Sequence, residues 1–426
     1  MRSETVIDSA HYPVVTVGGG QAGLAMSWRL VRAGVEHLVL ERDTVGHEWA
    51  DARWDAFCLV TPNRQCTLPG WPYAGDDPDG FMVKDEIVAY LRGYADSFPA
   101  PVAEHTAVLE LRDNADGEFT VTTTAGTVTA DQVVLATGGY HFPVVPVAAQ
   151  RIPSTITQLH SSRYRNPAAL PPGGVLVVGT GQSGAQIAED LHLEGRQVHL
   201  ATGSAPRVAR FYRGQDCMTW LHEMGHYDVG VTGAEHEAQR EKTNHYVTGR
   251  GGGHDLDLRA FARDGMRLYG RLADIDAGGR VRFRADLRSN LDHADSVAES
   301  IKDLIDAHIE RAGLDAPTEP RYTPVWTPGE DVTELDLVRA GIGTVIWAIG
   351  YRADWRWVKV PAFDGTGYPT HARGVSSVPG LYVLGLPWLF TWGSGRFLGI
   401  ARDSEHLAVQ ILARHAAGAP VSALAS

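Results

Sequence analysis

One glycine-spaced fingerprint occurs twice in this chain, and the second copy repeats the surroundings of the first in register. The first copy is Gly18-Gly19-Gly20-Gln21-Ala22-Gly23 and the second is Gly179-Thr180-Gly181-Gln182-Ser183-Gly184. Residues 14–17 and 175–178, immediately before them, are apolar runs that read as parallel strands buried on both faces. Each fingerprint leads into an amphipathic stretch and a second apolar run. Gly34 then matches Gly195, Val39 matches Leu200, and Glu41 matches Thr202. Two matched strand–turn–helix–strand units constrain the chain to an α/β fold with two Rossmann-like dinucleotide-binding domains. In such a unit the first glycine permits a tight turn, the second lets the backbone approach a pyrophosphate, and the third lets helix and strand pack closely. The phosphates sit at the helix N-terminus, where free N–H groups point at them. Gly18, Gly20 and Gly23, with Gln21 beside them, are therefore expected to hold one pyrophosphate. Gly179, Gly181 and Gly184, with Gln182 and Ser183, are expected to hold the other.

The ends of the second strands separate the two nucleotides. Glu41, in Val39-Leu40-Glu41-Arg42, stands where a carboxylate hydrogen-bonds ribose hydroxyls, so the first nucleotide should lack a 2′-phosphate. The second unit has Thr202 there, followed by Arg207, Arg210 and Arg213. A carboxylate would repel a 2′-phosphate, whereas arginine grips it through paired hydrogen bonds. The expectation is FAD in the first site and NADPH in the second, with Arg207 and Arg210 on the 2′-phosphate. The competing reading of these arginines is solvated surface.

With 426 residues the chain has room for two or three domains. The order of its signals places one domain inside another. Residues 1–165 are expected to form the first part of the FAD domain, 166–330 the NADPH domain with a helical insert, and 331–426 the return to the FAD domain with a C-terminal helix. Residues 102–135 alternate apolar and polar with Gly117 and Gly126 as turns, as in a small antiparallel crossover sheet. Val133-Val134-Leu135-Ala136-Thr137-Gly138 and Val345-Ile346-Trp347-Ala348-Ile349-Gly350 are two matching strand-to-glycine endings, which adds Gly138 to the cofactor-binding residues. Residues 290–312 read as a helix and 249–254 as a loop, neither with assigned chemistry.

A formal charge of −13 argues against nucleic acid or an anionic membrane surface as partner. Residues 1–13 lack the apolar core of a signal peptide, and no later run is long and apolar enough to span a bilayer, so a cytoplasmic protein is expected. Residues 416–426 read as a frayed tail. Cys58, Cys66 and Cys217 form neither CxxC nor CxxxxC, which argues against a disulfide reductase, since such an enzyme needs a close pair to take electrons from the flavin. His222-Glu223-Met224-Gly225-His226 fits the zinc motif HExxH, but Gly225 interrupts the helix that motif requires, and Thr232 stands where an extended motif would place a third histidine. No metal is expected.

The two fingerprints, both glycine endings and residues 49–73 resemble the class B flavin-dependent monooxygenases over about residues 12–412. Arg53-Trp54, Thr61-Pro62-Asn63 and Leu68-Pro69-Gly70 are similar to the bacterial and plant single-chain members. The resemblance implies a reaction cycle in which NADPH reduces FAD, O2 adds at flavin C4a, and the (hydro)peroxide passes one oxygen to a small organic substrate. It also implies a homodimer. The family's linker signature FxGxxxHxxxY/W is half present, as His160 to Tyr164, with Ser154 and Ile156 in place of phenylalanine and glycine. Tyr164 rather than tryptophan favours oxygenation of a soft nitrogen or sulfur, or the plant-type reaction, over Baeyer–Villiger chemistry. His160 itself reads as a hinge residue bonded to backbone. Asn63 is the candidate catalytic residue, either hydrogen-bonding the flavin peroxide or stabilising the turn after Pro62. Trp388, Phe390 and Trp392 would wall off the flavin or pack a core. The alternatives are oxidative decarboxylation of a 2-oxo acid or Baeyer–Villiger oxidation on the same scaffold, an NADPH-dependent flavoprotein reductase, and a non-enzymatic redox sensor.

Overall fold

The computed structural model describes residues 9–114, 117–230, 238 and 244–418. Residues 1–8, Thr232 and the tail beyond 418 lie outside the described residues. In chain order, the elements that position the sites are β1 (His11–Val17), α1 (Gln21–Arg32), β2 (His37–Leu40), β3 (Gly126–Leu135), β4 (Gly174–Val178), α2 (Gln182–Leu193), β5 (Val198–Ala201), α3 (Leu287–Ala312), β6 (Ile342–Trp347), β7 (Leu381–Val383) and α4 (Phe397–Gly418).

Strands β2, β4 and β5 are buried at every residue, and so are the last four residues of β1. Their Val- and Leu-rich sequences suit parallel strands covered on both faces. Helix α1 turns Ala22, Leu24, Ala25, Met26 and Leu30 inward. Strand β3 serves two layers. Its first half pairs antiparallel with Phe119–Thr123, and its second half runs parallel to β1. The expected crossover is thus continuous with the main layer, with Val108–Asp113 as its outer strand. The nine-stranded sheet follows the order His371–Ala372, Val375–Ser376, β7, β3, β1, β2, Val102–Ala103, with the two crossover strands off that path.

The second sheet has five parallel strands in the order Arg267–Tyr269, β5, β4, β6, Thr157–His160. This moves the boundaries drawn at 165 and 330. Thr157–His160 lies before the first of them and β6 after the second, yet both hydrogen-bond into the second sheet. The chain crosses between sheets at Phe142–Pro143 and Tyr351–Arg352, which pair with each other as a two-stranded connector. The helix expected at 290–312 is α3, whose Leu291, Ala294, Ala298, Ile301, Ile305 and Ile309 form a buried stripe at helical spacing. Among the described residues no helix is long and apolar enough to cross a membrane.

The two units are joined directly. Trp392 N–H donates to Val229 O at 3.2 Å and Gly393 N–H to Tyr227 O at 3.0 Å. Arg402 of α4 pairs with Asp228. The loop at 249–254 packs face to face with residues 57–81, and its glycines make room for that approach. A β carbon at Gly249 would overlap the Leu59 carbonyl and lie 2.7 Å from Phe81 Cγ. One at Gly253 would lie 2.9 Å from both Phe81 and Arg210 side-chain carbons. Gly249→Ala should therefore lower stability by about 1–3 kcal/mol through overpacking alone, since its φ of −106° suits any residue. Gly251→Ala meets open space at a φ of +61° and costs only about 1–2 kcal/mol of left-handed backbone strain. Thermal unfolding of the two variants should differ in cooperativity, with only Gly249→Ala loosening the contact between units; equal behaviour would remove that contact from the account.

Candidate functional site: two dinucleotide sites and the cleft between them

The two fingerprints fold alike. Gly18 and Gly179 have φ of +107° and +105°, and a β carbon at either would lie 2.6 Å from a carbonyl oxygen, that of Ala136 or that of Ala348. Those alanines follow β3 and β6, so each strand-to-glycine ending is the surface against which its turn is pressed. A β carbon at Gly23 or Gly184 would overlap the carbonyl of Gly18 or Gly179, which is why the third glycine is needed for helix and turn to close. The helices open on Gly20 and Gly181 with no side-chain cap and no acidic residue in the first turn. Their first N–H groups are left for an anion, with the helix dipole reinforcing the attraction.

The polar wiring differs between the sites. Glu41, half-buried at the end of β2, accepts the Gly19 N–H on Oε2 at 2.7 Å and the Asp43 N–H on Oε1 at 2.9 Å. In the second site the direction is reversed: Gly203 N–H donates to Thr180 Oγ1 at 2.9 Å. Thr202 is buried, donating to Tyr269 O at 2.8 Å and accepting from Asn290 Nδ2 at 3.1 Å. The second mouth therefore has no carboxylate in the place that Glu41 fills in the first. Gln21 donates to Gly395 O at 3.4 Å and accepts from Trp49 Nε1 at 3.1 Å, tying the first fingerprint to the start of α4. Gln182 makes the equivalent clasp on Val247, donating to its carbonyl and accepting its N–H at 3.3 Å. Ser183 is half-buried in the first turn of α2.

Three sequence expectations are corrected. Arg207 is buried; its Nε donates to Asp295 Oδ1 of α3 at 2.7 Å, and its guanidinium lies 4.1 Å from the Tyr322 ring centroid. Arg210 is fully buried in an ion pair with Asp216, donates to Val60 O at 2.9 Å and stacks over Phe81. A buried guanidinium must be paired, and these two pair with protein carboxylates of their own unit, Arg210 also reaching Val60 of the first unit, instead of facing a 2′-phosphate. Arg271 is an exposed cation two residues beyond Tyr269 in the chain. It follows the strand Arg267–Tyr269, whose Tyr269 carbonyl accepts the Thr202 N–H at 2.9 Å. Asn63, the third correction, is buried and spends its amide on its own loop. Nδ2 donates to Asp77 O at 2.9 Å and Oδ1 accepts the Met82 N–H at 2.7 Å, which is the turn-stabilising reading.

His160 sits against Gly350 O, 3.1 Å from Nε2, and burial lowers its pKa, as fits a neutral hinge residue. Tyr164 donates to the buried Asp190 at 2.6 Å. The HExxH segment does not form one helix: the helix Cys217–Glu223 ends before Gly225, at φ +73°, and His226 starts a separate turn. All three thiols are free and buried, and burial pushes Cys58 up to about 11, Cys66 up to about 12 and Cys217 up as well. Of the aromatic trio, Trp392 is buried against Tyr227 and His226, with ring centroids 4.6 and 4.9 Å apart, while Phe390 lies under Arg373. Sequence reasoning weighed His226 only as part of HExxH and missed Tyr227 and Arg396, all three of which pack on Trp392, and His245 near them. They come from distant segments, and no local spacing announces them.

Comparison with known proteins agrees with this geometry. The family described as pyridine nucleotide-disulphide oxidoreductase matches residues 15–222. An "Uncharacterized oxidoreductase CzcO-like" of Geobacillus kaustophilus is 31% identical over 404 residues, covering 94% of this chain and 98% of that one. A "Probable indole-3-pyruvate monooxygenase YUCCA4" of Arabidopsis thaliana is 33% identical over 196 residues, 46% of this chain and 47% of its own. Among solved structures, a flavin-containing monooxygenase from Stenotrophomonas maltophilia superposes with a TM-score of 0.65 at 21% identity, covering 95% of this chain and 99% of that one. With its paired fingerprints, matched glycine endings and a CzcO-like relative that it matches over nearly its whole length, the chain belongs to the family of CzcO-like oxidoreductases and shares the fold of the flavin-containing monooxygenases.

Proposed function

We propose that this protein is an NADPH- and O2-dependent FAD monooxygenase that transfers one oxygen atom to a soft nitrogen or sulfur of a small organic substrate. The observation that carries the reading is the asymmetry between two otherwise matching sites: a ribose-facing carboxylate, Glu41, in the first and none in the second. FAD and NADPH are the cofactors of the family. The residues present fit them, because both cradles need the space that a β carbon would fill and both helix N-termini are uncapped. Gly18, Gly20, Gly23 and the first turn of α1 hold the FAD pyrophosphate, and Glu41 holds its ribose. Gly179, Gly181, Gly184 and the first turn of α2 hold the NADPH pyrophosphate, and Arg271 meets the 2′-phosphate. When bound, the flavin supplies hydride acceptance from NADPH and reaction with O2. The chain's own part is to orient the two nucleotides toward one cleft and to keep water out of it, with buried Trp392 as one wall. The buried, protonated thiols argue against the disulfide-reducing branch of the fold, which needs a thiolate.

Rapid mixing of the NADPH-reduced enzyme with oxygenated buffer tests the reaction class. An absorbing species distinct from reduced and oxidised flavin, followed by one labelled oxygen atom from 18O2 in the product, is expected; reoxidation without label in any product would turn the reading to a reductase. Glu41→Ala should weaken FAD binding by roughly tenfold or more, the worth of charged hydrogen bonds to hydroxyls, while NADPH affinity holds in titrations of reconstituted protein. Arg271→Ala should narrow the preference for NADPH over NADH in steady-state kinetics. Arg207→Ala should leave that preference unchanged and cost about 3–5 kcal/mol in denaturant unfolding, because it strands Asp295 beside one remaining partner, Arg259.

A further inference from the structure

Where the two units meet there is a cation that neither fingerprint uses. Arg396 is the residue before α4, next to Gly395, whose carbonyl accepts from Gln21 of the first fingerprint. Its guanidinium lies 3.9 Å from the Trp392 ring centroid, Nε donates to Trp392 O at 3.2 Å, and one terminal nitrogen donates to Asn244 Oδ1 at 3.2 Å. Trp392 and Gly393 are in turn the residues that pair with 227–229 of the second unit. Arg396 thus stands where the first fingerprint, the start of α4 and the second unit converge.

Among the described residues Arg396 has no carboxylate partner. The neighbouring acids are engaged elsewhere: Asp228 pairs with Arg402, and Asp403 lies 3.6 Å from Arg402 Nε. The groups that face Arg396 are neutral. Tyr227 and Tyr140 are within its electrostatic range. His226 packs edge-on against Trp392, and burial lowers its pKa. Burial, with His226 and Arg396 adding to it, pulls His245 down to about 4. Burial also lowers the Arg396 pKa, opposed by Tyr227 and Tyr140, although the side chain stays partly exposed. A second observation points the same way: the Tyr227 hydroxyl is buried with no hydrogen-bond partner among the described residues. A part-buried cation with no carboxylate partner among the described residues, beside an unused buried hydroxyl, is a pair of groups that an anion would complete.

We propose that Arg396, with Asn244, His245 and Tyr227 around it, is the anchor for a substrate carboxylate, which makes the substrate class a small carboxylic acid with an apolar side chain lying against Trp392. The assignment rests on the reading of this cleft as the place where flavin and nicotinamide meet. It narrows the soft nitrogen or sulfur compounds to those that also bear a carboxylate, and it accommodates a 2-oxo acid. The guanidinium would take the two carboxylate oxygens through parallel hydrogen bonds.

Calorimetry on the FAD-loaded protein tests this with phenylacetate and phenylacetamide, two probes of one shape that differ in charge. The wild-type protein should bind phenylacetate at least tenfold more tightly than phenylacetamide. Arg396→Gln should abolish that discrimination, and Arg396→Lys should restore part of it. Equal affinity for both probes, binding of neither, or discrimination that survives in Arg396→Gln would overturn the proposal. So would a loss confined to NADP+ affinity in Arg396→Gln, which would assign the cation to the nucleotide. The reaction class is judged separately by rapid mixing of wild-type protein without any probe. Charge discrimination with no oxygen chemistry would leave the carboxylate site standing and the monooxygenase reading fallen.

Discussion

Everything in this molecule follows from how closely each nucleotide helix seats on the turn before it. At Gly23 and Gly184 there is no room for a side chain between the helix and the preceding glycine carbonyl, and at Gly18 and Gly179 none between the turn and the neighbouring strand ending. That contact aims the uncapped helix N-terminus along the carboxyl edge of its sheet. It also fixes which residue stands at the end of the second strand, Glu41 or Thr202. Enlarge any one of these glycines and the helix must tilt, after which neither its dipole nor the strand-end residue meets a nucleotide at the same place.

The second constraint is electrostatic. The chain buries several arginines, and each is placed by a carboxylate or a carbonyl from a distant segment. Asp295 on α3 takes both Arg207 and Arg259; Asp216 takes Arg210; Asp228 takes Arg402. The pairs of Arg207, Arg259 and Arg210 are costly to desolvate, and breaking one partner leaves an uncompensated charge. They specify one internal arrangement of the second unit more than they add net stability, while the part-exposed Arg402–Asp228 pair spans the two units. Arg396 is held by a carbonyl and an amide oxygen, with no carboxylate partner among the described residues.

The sequence made the two nucleotide units legible because their logic is local. A β-branched run, three glycines and a strand-end residue lie within about two dozen positions of one another, and close packing there depends on backbone alone. The crossover strands, α3 and α4 were legible for the same reason, from alternation or helical spacing. What failed depends on contacts across the chain. Arg207 and Arg210 look like a phosphate clamp until Asp295 and Asp216 appear beside them. Asn63 looks available until the loop at 77–82 returns to take both ends of its amide. Thr157–His160 is too short and too polar to read as a strand until β6 pairs with it. The Arg396 cluster draws on 226–227, 244–245 and 392–396, which no window on the sequence can join.

The backbone pairing between 227–229 and 392–393 has a kinetic meaning. Swinging the two units apart would break two main-chain hydrogen bonds and the Arg402–Asp228 pair at once, beside a glycine loop already packed without slack. Separation of the two units at this point is therefore opposed by three contacts that must give way together, a hinge held shut by several small latches instead of one large one.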